Sequence, residues 1–172
     1  LKSDCVIEKD GRVTRMVYVP AIPQMGYRTV WLRSEEEKKT PMLTQPFDWK
    51  WETDFYQIEW NENGELTRLY DKQACREVLR QGECGNQFQL FHDQPTYWDA
   101  WDIDPLFAEQ EAYRPELLSV DVVLKGKTMD RIRFKWTLSS SFIEQDLVLY
   151  HHSARIDFET RVSWHETHKL LK

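Results

Sequence analysis

The chain has 172 residues, enough for one ordinary domain with a sizeable core, or for one domain and part of another. Its 23 basic and 29 acidic residues leave a net charge of −6, and no stretch interleaves Lys and Arg with aromatics, which argues against nucleic acid as a partner. No apolar run approaches the ~18 residues of a membrane span, and LKSDCVIEKD has neither the basic start nor the apolar middle of a secretory signal.

In chain order the periodicity is mostly that of strands. VTRMVYV (13–19) alternates apolar with polar side chains after a DGR turn, and YRTVWL (27–32) reads as a second strand beyond the PAIPQMG loop. SEEEKKTPMLTQP (34–46) combines charge with two prolines and no period, so a boundary is expected near residue 40. FYQIEW, NENG and ELTRLY (55–70) form a hairpin signature, with Asn63-Gly64 suited to the positive φ of a tight turn. ACREVLRQ and LFAEQEAYR have room for a helical turn or two. QFQLF (87–91) is a short strand; LLSVDVVL (117–124) with RIRFKWTL (131–138), and SFIEQDLVLY (141–150) with RIDFETRVSW (155–164), are two longer pairs. Many short strands joined by turns predict an all-β fold, an antiparallel β-sandwich.

Conventional catalytic signatures are absent. There is no GxSxG elbow, no Gly-rich phosphate loop and no HExxH. In WHETH the histidines are three apart, and on a strand His165 and His168 would face opposite ways, so no metal ligand is assigned. His151 and His152 diverge for the same reason. Cys5, Cys75 and Cys84 follow no metal spacing and read as free thiols of a reduced, cytoplasmic protein.

One segment stands apart. TYWDAWDIDPLF (96–107) packs Tyr97, Trp98 and Trp101 among Asp99, Asp102 and Asp104. Two readings fit it. The rings can pack on the sandwich while the acids cap backbone groups near turns. Alternatively, rings that stack on the C–H faces of sugars stand beside carboxylates that accept hydrogen bonds from hydroxyls. Paired carboxylates also serve retaining glycosidases as acid and nucleophile, at about 5–5.5 Å, a distance that sequence spacing does not supply.

LFHDQPTYWDAWDID resembles a signature of glycoside hydrolase family 38 α-mannosidases, of the cytosolic and vacuolar branch and its bacterial relatives. Three further stretches agree in order: VPAIPQMGYRTVWL, FYQIEWNENGELTRLYDKQACREVL and RIDFETRVSWHETHKLLK. The resemblance implies that residues 1–40 are the end of a small β-domain. Residues 41–172 would be the first part of a supersandwich similar to galactose mutarotase. Such enzymes carry an N-terminal α/β catalytic domain with a zinc on His and Asp ligands and an aspartate nucleophile. No stretch here matches those motifs, so no catalytic residue, zinc ligand or cofactor is expected in this chain; the zinc is expected in the missing catalytic domain. Leu1 is not a start methionine and family members continue beyond HKLLK, so an internal piece of a longer enzyme is expected.

The positions carried over are those of the YWDAWD match. Tyr97, Trp98, Asp99, Trp101 and Asp102 are candidates for lining or bracing a pocket for α-mannosides or mannose-containing oligosaccharides. The expected partners are such sugars and the enzyme's own catalytic domain, with self-association through an unpaired edge near residues 155–164. Two other readings compete with this one: a stand-alone carbohydrate-binding module, and a structural fragment that associates through exposed apolar surface.

Overall fold

A computed structural model describes residues 1–7, 12–31, 47–98 and 101–172. Twelve strands and a single 3₁₀ turn at Phe107–Glu109 account for the regular structure, and no α-helix occurs among the described residues. β8 (Glu116–Lys125), β9 (Met129–Leu138), β10 (Ser141–Tyr150) and β11 (Ile156–Ser163) form a four-stranded antiparallel sheet in the order β11-β10-β9-β8. β3 (Lys50–Glu52), β4 (Tyr56–Trp60), β5 (Leu66–Asp71) and β6 (Arg76–Glu77) form a second sheet in chain order. β7 (Leu90–His92) pairs with β12 (Lys169–Leu171), and β1 (Ser3–Ile7) with β2 (Val13–Val17).

The alternation in RIRFKWTL and SFIEQDLVLY decides which face is buried. Ile132, Phe134, Trp136 and Leu138 of β9 join Ile143, Leu147 and Leu149 of β10 against Ile58, Trp60, Leu66 and Leu90 from the smaller sheets. That face-to-face burial makes the molecule a β-sandwich. Each fully buried side chain of this kind stabilises by roughly 1.5–3 kcal/mol. Phe134 and Trp136 stack at 5.5 Å, and Phe47, Trp49 and Trp51 close one side of the core. The opposite face of the large sheet is charged instead. Asp146, only 7% exposed, holds Arg133 at 2.6 Å and Arg131 at 3.1 Å.

The β1–β2 hairpin is tied to the sandwich by one carboxylate. Asp4 accepts the Lys127 and Thr128 amides at 2.7 and 2.6 Å, and the Thr128 hydroxyl, all in the β8–β9 turn. Burial pushes its pKa up, but these donors outweigh burial and hold it below the ordinary aspartate range.

Several sequence expectations need correction. Residues 27–31 of YRTVWL form no strand; Tyr27 and Trp31 are almost wholly exposed, and among the described residues no neighbouring strand pairs with their backbone. ACREVLRQ holds no helical turn: Asp71 accepts the Gln73 and Ala74 amides at 2.9 Å, Cys75 takes φ 51°, and the chain doubles back as β6. QFQLF enters the strand only at Leu90, with Gln89 already bonded to Lys172, and the strand runs on to His92. The expected boundary near residue 40 and the charged linker up to residue 46 lie outside the described residues.

Candidate functional site

The aromatic-acidic segment sits on the long connection from β7 to β8, and its stems are firmly held. β7 lies in register with β12, Leu170 opposite Phe91, and Gln89 and Lys172 exchange amide hydrogen bonds at 2.8 Å. Leu90 and Tyr113 exchange a second pair at 2.9 and 2.8 Å, so the two ends of the connection meet. Above that closure the Gln110 side chain accepts the His92 amide at 3.1 Å and donates to the His92 carbonyl at 3.2 Å. Asp93 accepts the Asp104 amide at 2.8 Å, Asp104 accepts the Leu106 amide at 2.9 Å, and Phe107 sets its ring edge-on against Phe91 at 5.3 Å. The Lys172 ammonium covers the Phe107 ring at 4.5 Å.

On this base the tip makes one tight turn. Trp98 has φ 63°, and its carbonyl accepts the amides of Trp101 at 2.7 Å and Asp102 at 2.9 Å. Tyr97 is 72% exposed, Trp98 76% and Trp101 89%, and the Asp102 carboxylate is also in solvent. Asp99 lies outside the described residues. The acids therefore divide by position: Asp93 and Asp104 cap backbone, and Asp102 stands beside exposed rings. Ring packing on the sandwich does not occur. Three large aromatic side chains so exposed within five positions are unusual on a folded surface.

The sequence reading missed the supporting residues Asp93, Gln110 and Lys172. Asp-x-Pro at 93–95 and Asp-Pro at 104–105 were the available turn signals; the glutamine bridge carries none.

The histidines do other work. In WHETH it is Glu166 that matters, accepting the Ser140 amide at 2.7 Å and the Ser141 hydroxyl at 2.9 Å across the β9–β10 turn. The His165 ring meets Ser163 Oγ at 3.1 Å. His151 contacts Asp130 at 3.1 Å, and His152 lies against the Tyr18 ring at 4.0 Å, both from a turn and not a strand. Among the described residues no three His, Cys, Asp or Glu side chains converge on a point where a metal ion would sit. Among the described residues Cys5, Cys75 and Cys84 form no disulfide.

Residues 51–172 match the family model described as the glycosyl hydrolases family 38 C-terminal domain, which covers well over half of the chain. The chain belongs to glycoside hydrolase family 38. Within this family it is 32% identical over 164 residues to alpha-mannosidase 2C1 of Homo sapiens, a match covering 88% of this chain and 15% of that protein. It is 31% identical over 124 residues to alpha-mannosidase G of Dictyostelium discoideum, covering 69% of this chain and 11% of that one. The mouse alpha-mannosidase 2C1 is 34% identical over 119 residues. The chain thus spans about a seventh to a ninth of the length of these family 38 relatives. The family match takes in both large sheets and the β7–β8 connection, so the exposed aromatic turn is part of the family 38 domain.

Proposed function

We propose that this chain is the β-sandwich portion of a cytoplasmic α-mannosidase that hydrolyses α-mannosidic bonds with retention. The observation that carries the reading is membership of family 38 together with relatives named as α-mannosidases. The chain's own part in that reaction is packing against the catalytic part of the enzyme and presenting the turn at 97–102 to the sugar. Exposed rings on a turn with a doubly bonded carbonyl supply rigid stacking faces; Asp102 supplies a hydrogen-bond acceptor for a mannose hydroxyl. Nucleophile, general acid and zinc belong to the rest of the polypeptide, and no step is assigned to residues of this chain. Among the described residues the cysteines form no disulfide, as in a reducing compartment, and no helix is long and apolar enough to cross a membrane.

The test uses the full-length enzyme. Asp102→Asn is nearly isosteric at an exposed position, so folding stays intact while turnover of an aryl α-mannoside falls by one to two decades, the worth of ~1.5–3 kcal/mol in the transition state. Trp98→Ala weakens substrate contact and, at an exposed position, changes stability by about 0.5 kcal/mol or less. Unchanged kinetic constants in both variants, with unchanged melting temperatures, would reduce the turn to a structural role. The exposed rings also support a stand-alone carbohydrate-binding module; tight mannoside binding by the isolated chain, centred on Trp98, would favour that reading.

A further inference from the structure

A concave site lies beside the loop stem, and none of residues 97–102 lines it. It encloses about 220 Å³ where the β4–β5 turn, the segment before β7 and the start of β8 converge. Trp136 is its floor, 2% exposed and fixed by its indole N–H to the Asn63 carbonyl at 2.8 Å. Phe88 stands edge-on to Trp136 at 5.3 Å as one wall. Glu65 and Arg114 form a salt bridge at 3.0 Å across the rim, and Glu65 is held from behind by Asn61 at 2.9 Å. That pair leaves the cavity with no net charge.

The side-chain amides of Asn63 and Gln87 line the cavity and bond to nothing among the described residues. Each offers a donor and an acceptor side by side. Their neighbour Asn86, by contrast, spends its amide on Gln145 at 2.8 Å. Two amides with no hydrogen-bond partner among the described residues, exposed at Asn63 and half-buried at Gln87, stand with a pinned guanidinium, a pinned carboxylate and an aromatic wall, and together they match the alternation of hydroxyl pairs and C–H faces on a pyranose. The volume is several waters' worth at ~30 Å³ each. It lies below the ~300–1,000 Å³ of pockets for drug-sized ligands, so one ring fits and a chain of rings does not.

We propose that this cavity binds a single neutral pyranoside ring, as an auxiliary sugar site distinct from the turn at 97–102. Asn63 and Gln87 take the hydroxyls, Arg114 and Glu65 the rim contacts, and Phe88 the apolar ring face. A free anion is disfavoured because Glu65 already neutralises Arg114.

The experiment is a titration of the 172-residue chain with methyl α-mannopyranoside, followed by the ¹H–¹⁵N shifts of the Asn63 and Gln87 side-chain amides. Inorganic phosphate is titrated in parallel. Saturable millimolar shifts at both amides are expected with the glycoside and not with phosphate. Gln87→Ala should raise the apparent Kd about tenfold, the loss of one to two neutral hydrogen bonds. Asn63→Ser serves as an independent variant, and an unshifted Trp136 indole resonance reports that the floor is intact. Trp98→Ala should leave these shifts unchanged. Shifts confined to residues 97–102, no saturation at the two amides, or phosphate acting in place of the glycoside would overturn the proposal. None of these outcomes bears on the turnover test of Asp102, so the two readings fail separately.

Discussion

Asp146 shows how a single residue can hold a surface together without touching substrate. Burial alone would push its carboxyl up, yet Arg133 and Arg131 outweigh burial and hold it below the ordinary aspartate range. A depressed native pKa adds stability above the unfolded value of about 3.9, and that contribution is lost as pH falls through the lowered native value. Acid titration below about pH 4 should therefore lower the melting temperature of the native chain more than that of Asp146→Asn. At neutral pH, Asp146→Asn leaves two arginines short of a partner, although Glu159 and Glu144 remain at 3.1 and 3.8 Å. The expected cost is about 2–3 kcal/mol, below the 3–5 kcal/mol of a fully buried pair. Denaturant titration at pH 7 and at about pH 2 measures both effects; equal losses at the two pH values would remove Asp146 as their source. The paired aspartate at a strand centre had no distinguishing mark in the sequence, because the arginines it meets are 13 and 15 residues away.

Among the elements, the β4–β5 hairpin was the most legible, and its turn shows why. Gly64, at φ 78°, carries the positive φ, while Asn61 accepts the Asn63 and Glu65 amides at 3.0 Å. A Cβ on Gly64 would also come within 2.9 Å of the Trp136 ring. Gly64→Ala combines a left-handed alanine with that contact and should cost about 2–3 kcal/mol, or roughly 5–10 °C in Tm for a chain of this size. A thermal scan with unchanged Tm would mean the ring yields freely. Glu166→Gln tests the β9–β10 turn similarly. Its carboxyl lies below the ordinary glutamate range because the Ser141 and Ser140 donors outweigh its desolvation. Loss of the charge should lower the denaturation midpoint, and an unchanged midpoint would count against the carboxylate as the tie across the turn. Short strands such as β1, β3 and β12 escaped the periodicity because three to five residues carry too little pattern, and partners such as β7 and β12 lie about eighty positions apart.

At the scale of the molecule, the two edges of the large sheet differ. β8 carries register shifts at Leu117/Ser119 and Val122/Leu124, and such bulges blunt an edge. β11 pairs with β10 without a shift over eight residues, and among the described residues its other edge pairs with nothing. Phe158 and Val162, which lie opposite the buried Leu147 and Ile143, are 42% and 40% exposed. A regular edge with apolar side chains beside it is a template for strand addition. The 172-residue chain is expected to self-associate with rising concentration in sedimentation velocity, and Phe158→Lys to suppress this. A strictly monomeric native chain at high concentration would count against the edge as the contact.

The sequence by itself determined the fold class and the family. Alternation of period two, an Asn-Gly turn and four ordered stretches of family 38 pattern are local signals, written within a few residues of one another. It also showed that the YWDAWD stretch suits no simple element, since rings and acids stand at adjacent positions. Tertiary structure alone decided what that stretch does with its rings. Whether Trp98 is buried depends on the reach of a stem closed by Leu90 with Tyr113 and His92 with Gln110, pairings 18 to 23 residues apart that no local pattern encodes. The same holds for the cavity over Trp136, which needs residues 63, 87 and 114 to converge. Burial, charge pairing and cavities are properties of segments brought together from far along the chain, so only the folded arrangement decides them.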